Sequence, residues 1–166
     1  MAGARVNVLA IETATDLVGA ALLRSDGGCV ERSHLGGRAH GELLAPAIEE
    51  VCATSGCGLD VVDALAVDVG PGLFTGLRVG VATAKALGQA LGVGVVGVTS
   101  LDTMCAGVLE EGPGDLGRWV VPVVDARRGE VFASAYAVGG PGADTDDPAT
   151  GRVDRTEALS PEELAG

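Results

Sequence analysis

The segment Gly70-Pro71-Gly72-Leu73-Phe74-Thr75-Gly76 holds the residues of this chain best suited to chemistry. It follows a short apolar run and opens a long helical one. A strand, a glycine turn and a helix N-terminus in that order leave backbone N–H groups free to meet an anion. Thr13 and Thr15 stand in an earlier polar turn, and Thr75 and Arg78 in the first helical turn. Thr13, Thr15, Gly70, Gly72, Thr75 and Arg78 are therefore the candidate anion- or nucleotide-proximal set. The segment lacks the Gly-Lys-Ser/Thr of a Walker-type phosphate loop, and a tight turn without ligand explains it equally well. Arg78 lies where the helix dipole disfavours a cation. Either an acidic partner or an anion offsets this, or the side chain extends into water.

Other chemistry finds less support. Gly92-Val93-Gly94-Val95-Val96-Gly97 matches G-x-G-x-x-G, but it follows a helix and is itself the strand, the reverse of a dinucleotide fingerprint. His34 and His40 are six residues apart, which is not a helical ligand spacing, and read as surface or capping groups. No Ser–His–Asp arrangement can be argued. The cysteines, at 29, 52, 57 and 105, show no C-x-x-C spacing and have no basic neighbour to lower a thiol pKa. They read as reduced, buried thiols. No catalytic residue and no metal ligand is assigned.

The elements that position these residues follow from periodicity. Val6–Ile11 and Gly19–Arg24 are strands joined by a polar turn, a hairpin pattern, with a third strand at Cys29–Ser33. His40–Cys52 is an amphipathic helix with Leu43, Leu44, Ala47, Ile48 and Val51 on one face and Pro46 near its start. Ala64–Asp68 is a buried strand, Thr75–Leu91 a long helix, Val93–Val98 a strand, and Thr99–Leu109 a helix capped by Thr99 or Ser100. Glu110–Gly117 is a domain boundary by composition, giving a first α/β domain at 1–110 and the start of a second at 111–166. There Trp119–Asp125 and Val131–Val138 form a hairpin around Arg127-Arg128-Gly129, and 139–151 is an acidic loop. Ser160-Pro161-Glu162-Glu163 is a helix-start signature with almost no helix after it, which predicts a truncated second domain. A single capped turn at a natural end is the alternative.

The helix 75–91 is unusual. Arg78, Ala82, Lys85 and Gln89 form one narrow stripe, and the remaining roughly 300° of the wheel is apolar or small. It must be covered on two sides. Gly76, Gly80 and Gly88 each cost about 1 kcal/mol against alanine, so a close neighbour must offset them. A helix of another protein would do so, and so would burial within one domain. The partner-interface set is Leu43, Leu44, Ala47, Gly76, Val79, Gly80, Thr83, Ala84 and Leu87.

Charge excludes one class of function. The 166 residues carry 11 Lys+Arg against 23 Asp+Glu, a net charge of −12, with an aromatic content of 2%. Binding nucleic acid alone needs a basic surface and stacking platforms, and this chain lacks both. A hydrophobic content of 47% argues against disorder. The longest uncharged apolar run, Ala86–Leu101, is 16 residues, too short to span a bilayer. Residues 1–4 do not read as the start of a signal peptide, so the expected location is cytoplasmic.

Four segments in order carry a resemblance. They are Ile11-Glu12-Thr13-Ala14-Thr15, Arg38-Ala39-His40-Gly41-Glu42-Leu43-Leu44-Ala45-Pro46, Gly70-Pro71-Gly72-Leu73-Phe74-Thr75-Gly76-Leu77-Arg78-Val79-Gly80 and Asp125-Ala126-Arg127-Arg128-Gly129-Glu130-Val131-Phe132. Between about residues 6 and 138 the chain resembles the bacterial TsaB (YeaZ) proteins, paralogues of TsaD. The resemblance implies an actin/Hsp70/sugar-kinase-like (ribonuclease H-like) α/β fold. It also implies a non-catalytic scaffold that dimerises with TsaD, or with itself, and works with the ATPase TsaE. That complex makes N6-threonylcarbamoyladenosine beside the anticodon of tRNA. ATP and metal are then expected on the partner subunits, no cofactor on this chain, and tRNA contact only through the complex. Where TsaD-like proteins carry a metal-binding His-x-x-x-His, this chain has Ser100 and Met104, neither a good ligand for a hard metal ion. The family continues well beyond residue 166. The alternative is a stand-alone enzyme of the same fold, either a TsaD-like metallo-transferase once read as a protease or a small-molecule kinase.

Overall fold

The computed structural model describes residues 6–37, 39–110 and 119–137, and the backbone of 157–159. Two compact units divide between Val98 and Thr99. The sequence placed a domain boundary at 110/111; in the structure the helix that follows Val98 groups with the second unit.

The first unit is a five-stranded sheet. Its strands are β1 (Val8–Glu12), β2 (Leu17–Leu23), β3 (Cys29–Leu35), β4 (Ala64–Asp68) and β5 (Gly94–Val98), in the order β3-β2-β1-β4-β5. β1, β2 and β3 pair antiparallel, as the short turn between them requires. β4 and β5 join in parallel, because each is reached through a helix that returns the chain to the same end of the sheet. Those helices are α1 (His40–Ser55) and α2 (Phe74–Leu91). No helix among the described residues is long and apolar enough to cross a membrane.

The core lies between the sheet and the two helices. Leu9, Ile11, Val18, Leu22, Leu65 and Val67 from the strands meet Leu44, Ala47, Ile48 and Val51 of α1 and Ala84 of α2. These are the residues that alternation and the 3.6-residue period place inward. Pro46 falls past the first turn of α1, not near its start. The N–H it lacks would have met the carbonyl of Glu42, which is exposed and can be hydrated instead. α1 ends at Gly56, whose φ of 68° lets the chain turn out of the helix.

α2 is covered differently from the expectation of a second helix. Gly76, Gly80, Ala84 and Gly88 are its buried residues and they face the chain's own sheet. A Cβ on Gly80 would strike the Thr13 hydroxyl, and one on Gly88 would lie 2.5 Å from Val95 Cγ2. The cost of glycine in a helix is thus offset by close approach to β1 and β5. The opposite face is exposed and mixed: Phe74, Thr75, Arg78, Ala82, Lys85, Ala86, Gln89 and Ala90.

The second unit begins with α3 (Ser100–Glu110). Thr99 caps it, its Oγ1 accepting from the Asp102 N–H. Small strands follow: β6 (Trp119–Val120), β7 (Val123–Arg127), β8 (Glu130–Ala133), β9 (Tyr136–Ala137) and β10 (Glu157–Leu159). The expected hairpin exists as β7–β8, turning at Arg127 and Arg128, both with positive φ. Its outer parts form a separate pair, β6–β9. Pro122, without an N–H, separates β6 from β7. Leu101, Cys105 and Tyr136 form the core of this unit. The Ser160-Pro161-Glu162-Glu163 signature and the loop at 139–151 lie outside the described residues.

Candidate functional site

Three connections meet at the end of the first sheet where β1 and β4 finish. They are the turn after β1, the link from β3 to α1, and the Gly70-Pro71-Gly72 segment after β4. The register Ile11↔Val67 places Glu12 beside Asp68, one at the end of each strand. Glu12 Oε1 accepts from the Ala14 N–H at 2.6 Å, and Asp68 Oδ1 from the Gly70 N–H at 2.6 Å. The two turns are tied directly by the Leu73 N–H, which donates to the Ala14 carbonyl at 2.6 Å.

The third connection enters through His40. It is buried at the first residue of α1, and its Nε2 lies 2.7 Å from the Thr15 carbonyl, so Nε2–H is the donor. Gly36 N–H donates to the Asp16 carbonyl at 2.8 Å. Close approach here depends on two glycines. A Cβ on Gly72 would strike the Ala14 carbonyl, and one on Gly76 the Thr13 carbonyl.

The electrostatics of this corner are acidic. Burial pushes the Glu12 carboxyl up to about 8, helped by its hydrogen bond to Asp68 and by that neighbour's charge; the Ala14 and Thr15 N–H groups pull the other way. At neutral pH the pair therefore holds a proton between the strands. An anion placed there would face a carboxylate.

The candidate anion set is distributed accordingly. Gly70 gives its N–H to Asp68, and Gly72 is pressed on Ala14. Thr13 is fully buried, its Oγ1 against Gly80 and without a hydrogen-bond partner among the described residues. Thr15 contributes its carbonyl to His40. Thr75 and Arg78 stand apart on exposed α2, where the Arg78 guanidinium sits 5.4 Å from the centroid of the Phe74 ring. Thr13, Thr15, Gly70 and Gly72 thus stand where the two turns meet, with contacts of a tight strand-to-helix turn, while Thr75 and Arg78 are exposed.

Of the nine partner-interface candidates, Leu44, Ala47, Gly76, Gly80 and Ala84 are buried inside the first unit and unavailable to a partner. Their small size or apolar character serves the sheet instead. Leu43, Val79, Thr83 and Leu87 are half-buried. In the second unit, Ser100 is buried and Met104 exposed, one turn apart on α3. Among the described residues no three His, Cys, Asp or Glu side chains gather as a metal centre would require.

Sequence reasoning missed three relationships: the Glu12–Asp68 pair, the His40 link to Thr15, and the Tyr136 hydroxyl, which donates to Asp102 at 2.6 Å. Only Glu12 and Asp68 carried a local signal, a carboxylate two residues before a turn N–H.

Comparison with known proteins agrees with this architecture. The family model for TsaD, tRNA N6-adenosine threonylcarbamoyltransferase, matches residues 20–165. An uncharacterized protein of Mycobacterium leprae is 43% identical over 169 residues, covering 95% of this chain and 44% of that one. The Escherichia coli protein named tRNA threonylcarbamoyladenosine biosynthesis protein TsaB is 34% identical over 131 residues, covering 79% and 55%. A Pseudomonas aeruginosa crystal structure, described as similar to peptidase YeaZ, superposes with a TM-score of 0.84 at 27% identity, covering 97% of this chain and 69% of that one. The chain thus spans about half the length of the curated relatives it matches. The fold is the actin and ribonuclease H-like one that the resemblance implied. On this evidence the chain belongs to the TsaD family, in its TsaB (YeaZ) branch.

Proposed function

We propose that this chain acts in the synthesis of N6-threonylcarbamoyladenosine in tRNA as a non-catalytic scaffold that binds a TsaD subunit. The observation that carries the reading is its likeness to relatives named tRNA threonylcarbamoyladenosine biosynthesis protein TsaB, over 78–79% of the chain. The geometry is in keeping with it. The glycine turn that could have held a nucleotide phosphate spends its Gly70 N–H on Asp68 and its Leu73 N–H on Ala14. The acidic composition fits a protein that meets tRNA only through its partner.

The contact with TsaD, or with a second copy in isolation, is assigned to the outward faces of α1 and α2. This refines the residues at stake to half-buried Leu43, Thr83 and Leu87 with exposed Ala82 and Ala86. Gly80 and Ala84 are poor probes, because both are buried against the sheet. The test is co-purification and light scattering of the full chain with TsaD. Ala82→Arg and Ala86→Arg should weaken the complex at least tenfold while leaving the circular dichroism unchanged. Unchanged TsaD binding in both variants would place the contact elsewhere. Tight binding of ATP or of a stoichiometric metal by the isolated chain would favour the enzyme reading instead.

A further inference from the structure

We propose that Cys52 and Cys57 are an oxidation site, a dithiol that closes into a reversible disulfide across the C-terminal turn of α1 when a hydroperoxide is the oxidant.

The argument starts from how α1 ends. The Cys57 N–H donates to the Cys52 carbonyl at 3.2 Å, and the Gly56 N–H donates to the Ala53 carbonyl at 3.4 Å. With Gly56 left-handed at φ 68°, this is the Schellman arrangement. In it, the residue after the glycine commonly packs on the residue five positions earlier. Here both of those residues are cysteines, and both pack against the margin of the same apolar core.

The spacing suits a disulfide. Standard bond lengths on either side of a 3.2 Å N···O contact hold the two Cα atoms within about 7 Å. A disulfide asks for roughly 4.4–6.8 Å. A loop closed by so short a segment stabilises little through chain entropy. The consequence is therefore local: α1 gains a covalent lock on its last turn.

The chemistry balances with one peroxide. Burial pushes the Cys52 thiol up, so Cys52 is the poorer first nucleophile. Cys57, whose Sγ–H points to the Ser55 carbonyl at 3.5 Å, goes first. Its thiolate attacks a peroxide oxygen; the O–O bond breaks and a sulfenic acid and hydroxide result. Cys52 sulfur then attacks the sulfenic sulfur, the S–S bond forms, and a second hydroxide leaves. The two thiol protons convert both hydroxides to water. Two electrons pass from the sulfurs to the peroxide.

The test uses the full reduced chain, freed of reductant and treated with hydrogen peroxide. Titratable thiols should fall from four to two, the mass should drop by about 2 Da, and a peptide linked 52–57 should appear. Dithiothreitol should restore all of this. Cys29→Ser should leave the link intact, since Cys29 is exposed and distant in sequence. Cys52→Ala, checked for folding by circular dichroism, should lose the link and retain a trappable sulfenic acid on Cys57, whereas Cys57→Ala should lose the link and leave Cys52 largely a free thiol. Oxidation that adds about 16 or 32 Da to Cys52 or Cys57 without a link would overturn the proposal. So would cross-linked dimers formed while both cysteines stay open to alkylation.

Discussion

Glu12 and Asp68 stand side by side at the ends of two adjacent parallel strands, and each holds the turn that follows its own strand. One carboxyl oxygen of each is spent on a turn N–H, at Ala14 and at Gly70. One proton therefore couples two loops that meet again at the Leu73–Ala14 hydrogen bond. Both carboxyls ionised at this separation would repel one another, which is why the proton is held.

Stability should accordingly fall as pH rises. The Glu12 carboxyl moves from an ordinary 4.5 to about 8 in the folded chain. Between those values the folded state binds more protons than the unfolded state, so each step up in pH favours unfolding. The contribution is whole below about 4.5, declines through neutrality and is lost above about 8. Urea unfolding midpoints at acidic, neutral and alkaline pH measure it. Glu12→Gln, which keeps a donor for Asp68 but no titratable proton, should flatten the profile. A mutant as pH-dependent as the parent would refute the pairing.

Gly80 should not accept a methyl group. Its Cβ would meet the Thr13 hydroxyl, and Thr13 is fully buried and unable to retreat. Gly80→Ala is expected to cost about 1–3 kcal/mol despite alanine's better helix propensity. Gly107→Ala in α3 is the contrast, since a Cβ there meets nothing within 4 Å. It should be neutral or stabilise by up to about 1 kcal/mol. Chemical denaturation of both variants checks the sign of each.

His40 should matter for a loop rather than for chemistry. His40→Ala removes the donor to the Thr15 carbonyl and leaves a small void beside Gly76. Thr15 is exposed, so water can satisfy the carbonyl, and a loss of about 1–2 kcal/mol is expected. Amide exchange at residues 13–16 should accelerate more than exchange in β4. Uniform acceleration would show that His40 supports the whole core instead.

The second unit offers an independent probe. Tyr136→Phe deletes the hydroxyl that donates to Asp102 and keeps the buried ring. Hydrogen bonds to a charged acceptor are worth about 1.5–3 kcal/mol. The midpoint for unfolding of the second unit should fall by that measure, followed by tyrosine fluorescence in the parent and by the Trp119 signal in the variant. Exchange in β1 and β4 should stay unchanged.

Much of the molecule could be read before any coordinates. The runs 64–68 and 93–98, the faces of α1 and the near-total apolarity of α2 follow from side-chain type at periods of 2 and 3.6, because burial is a local average over neighbouring residues. The order of four short segments pointed to the family, and charge argued only against direct binding of nucleic acid. What escaped was every relation between residues far apart in the chain. Alternation says that Gly80 and Thr13 both face inward, but not that they face each other. A carboxylate before a turn is legible at Glu12 and again at Asp68. That the two share a proton depends on β4 entering beside β1, a choice made by the packing of α1 and α2 across the sheet. Leu44, Ala47, Gly76, Gly80 and Ala84 are buried against the sheet for the same reason: periodicity marks a face as apolar, and only the assembled sheet reveals that it is already occupied.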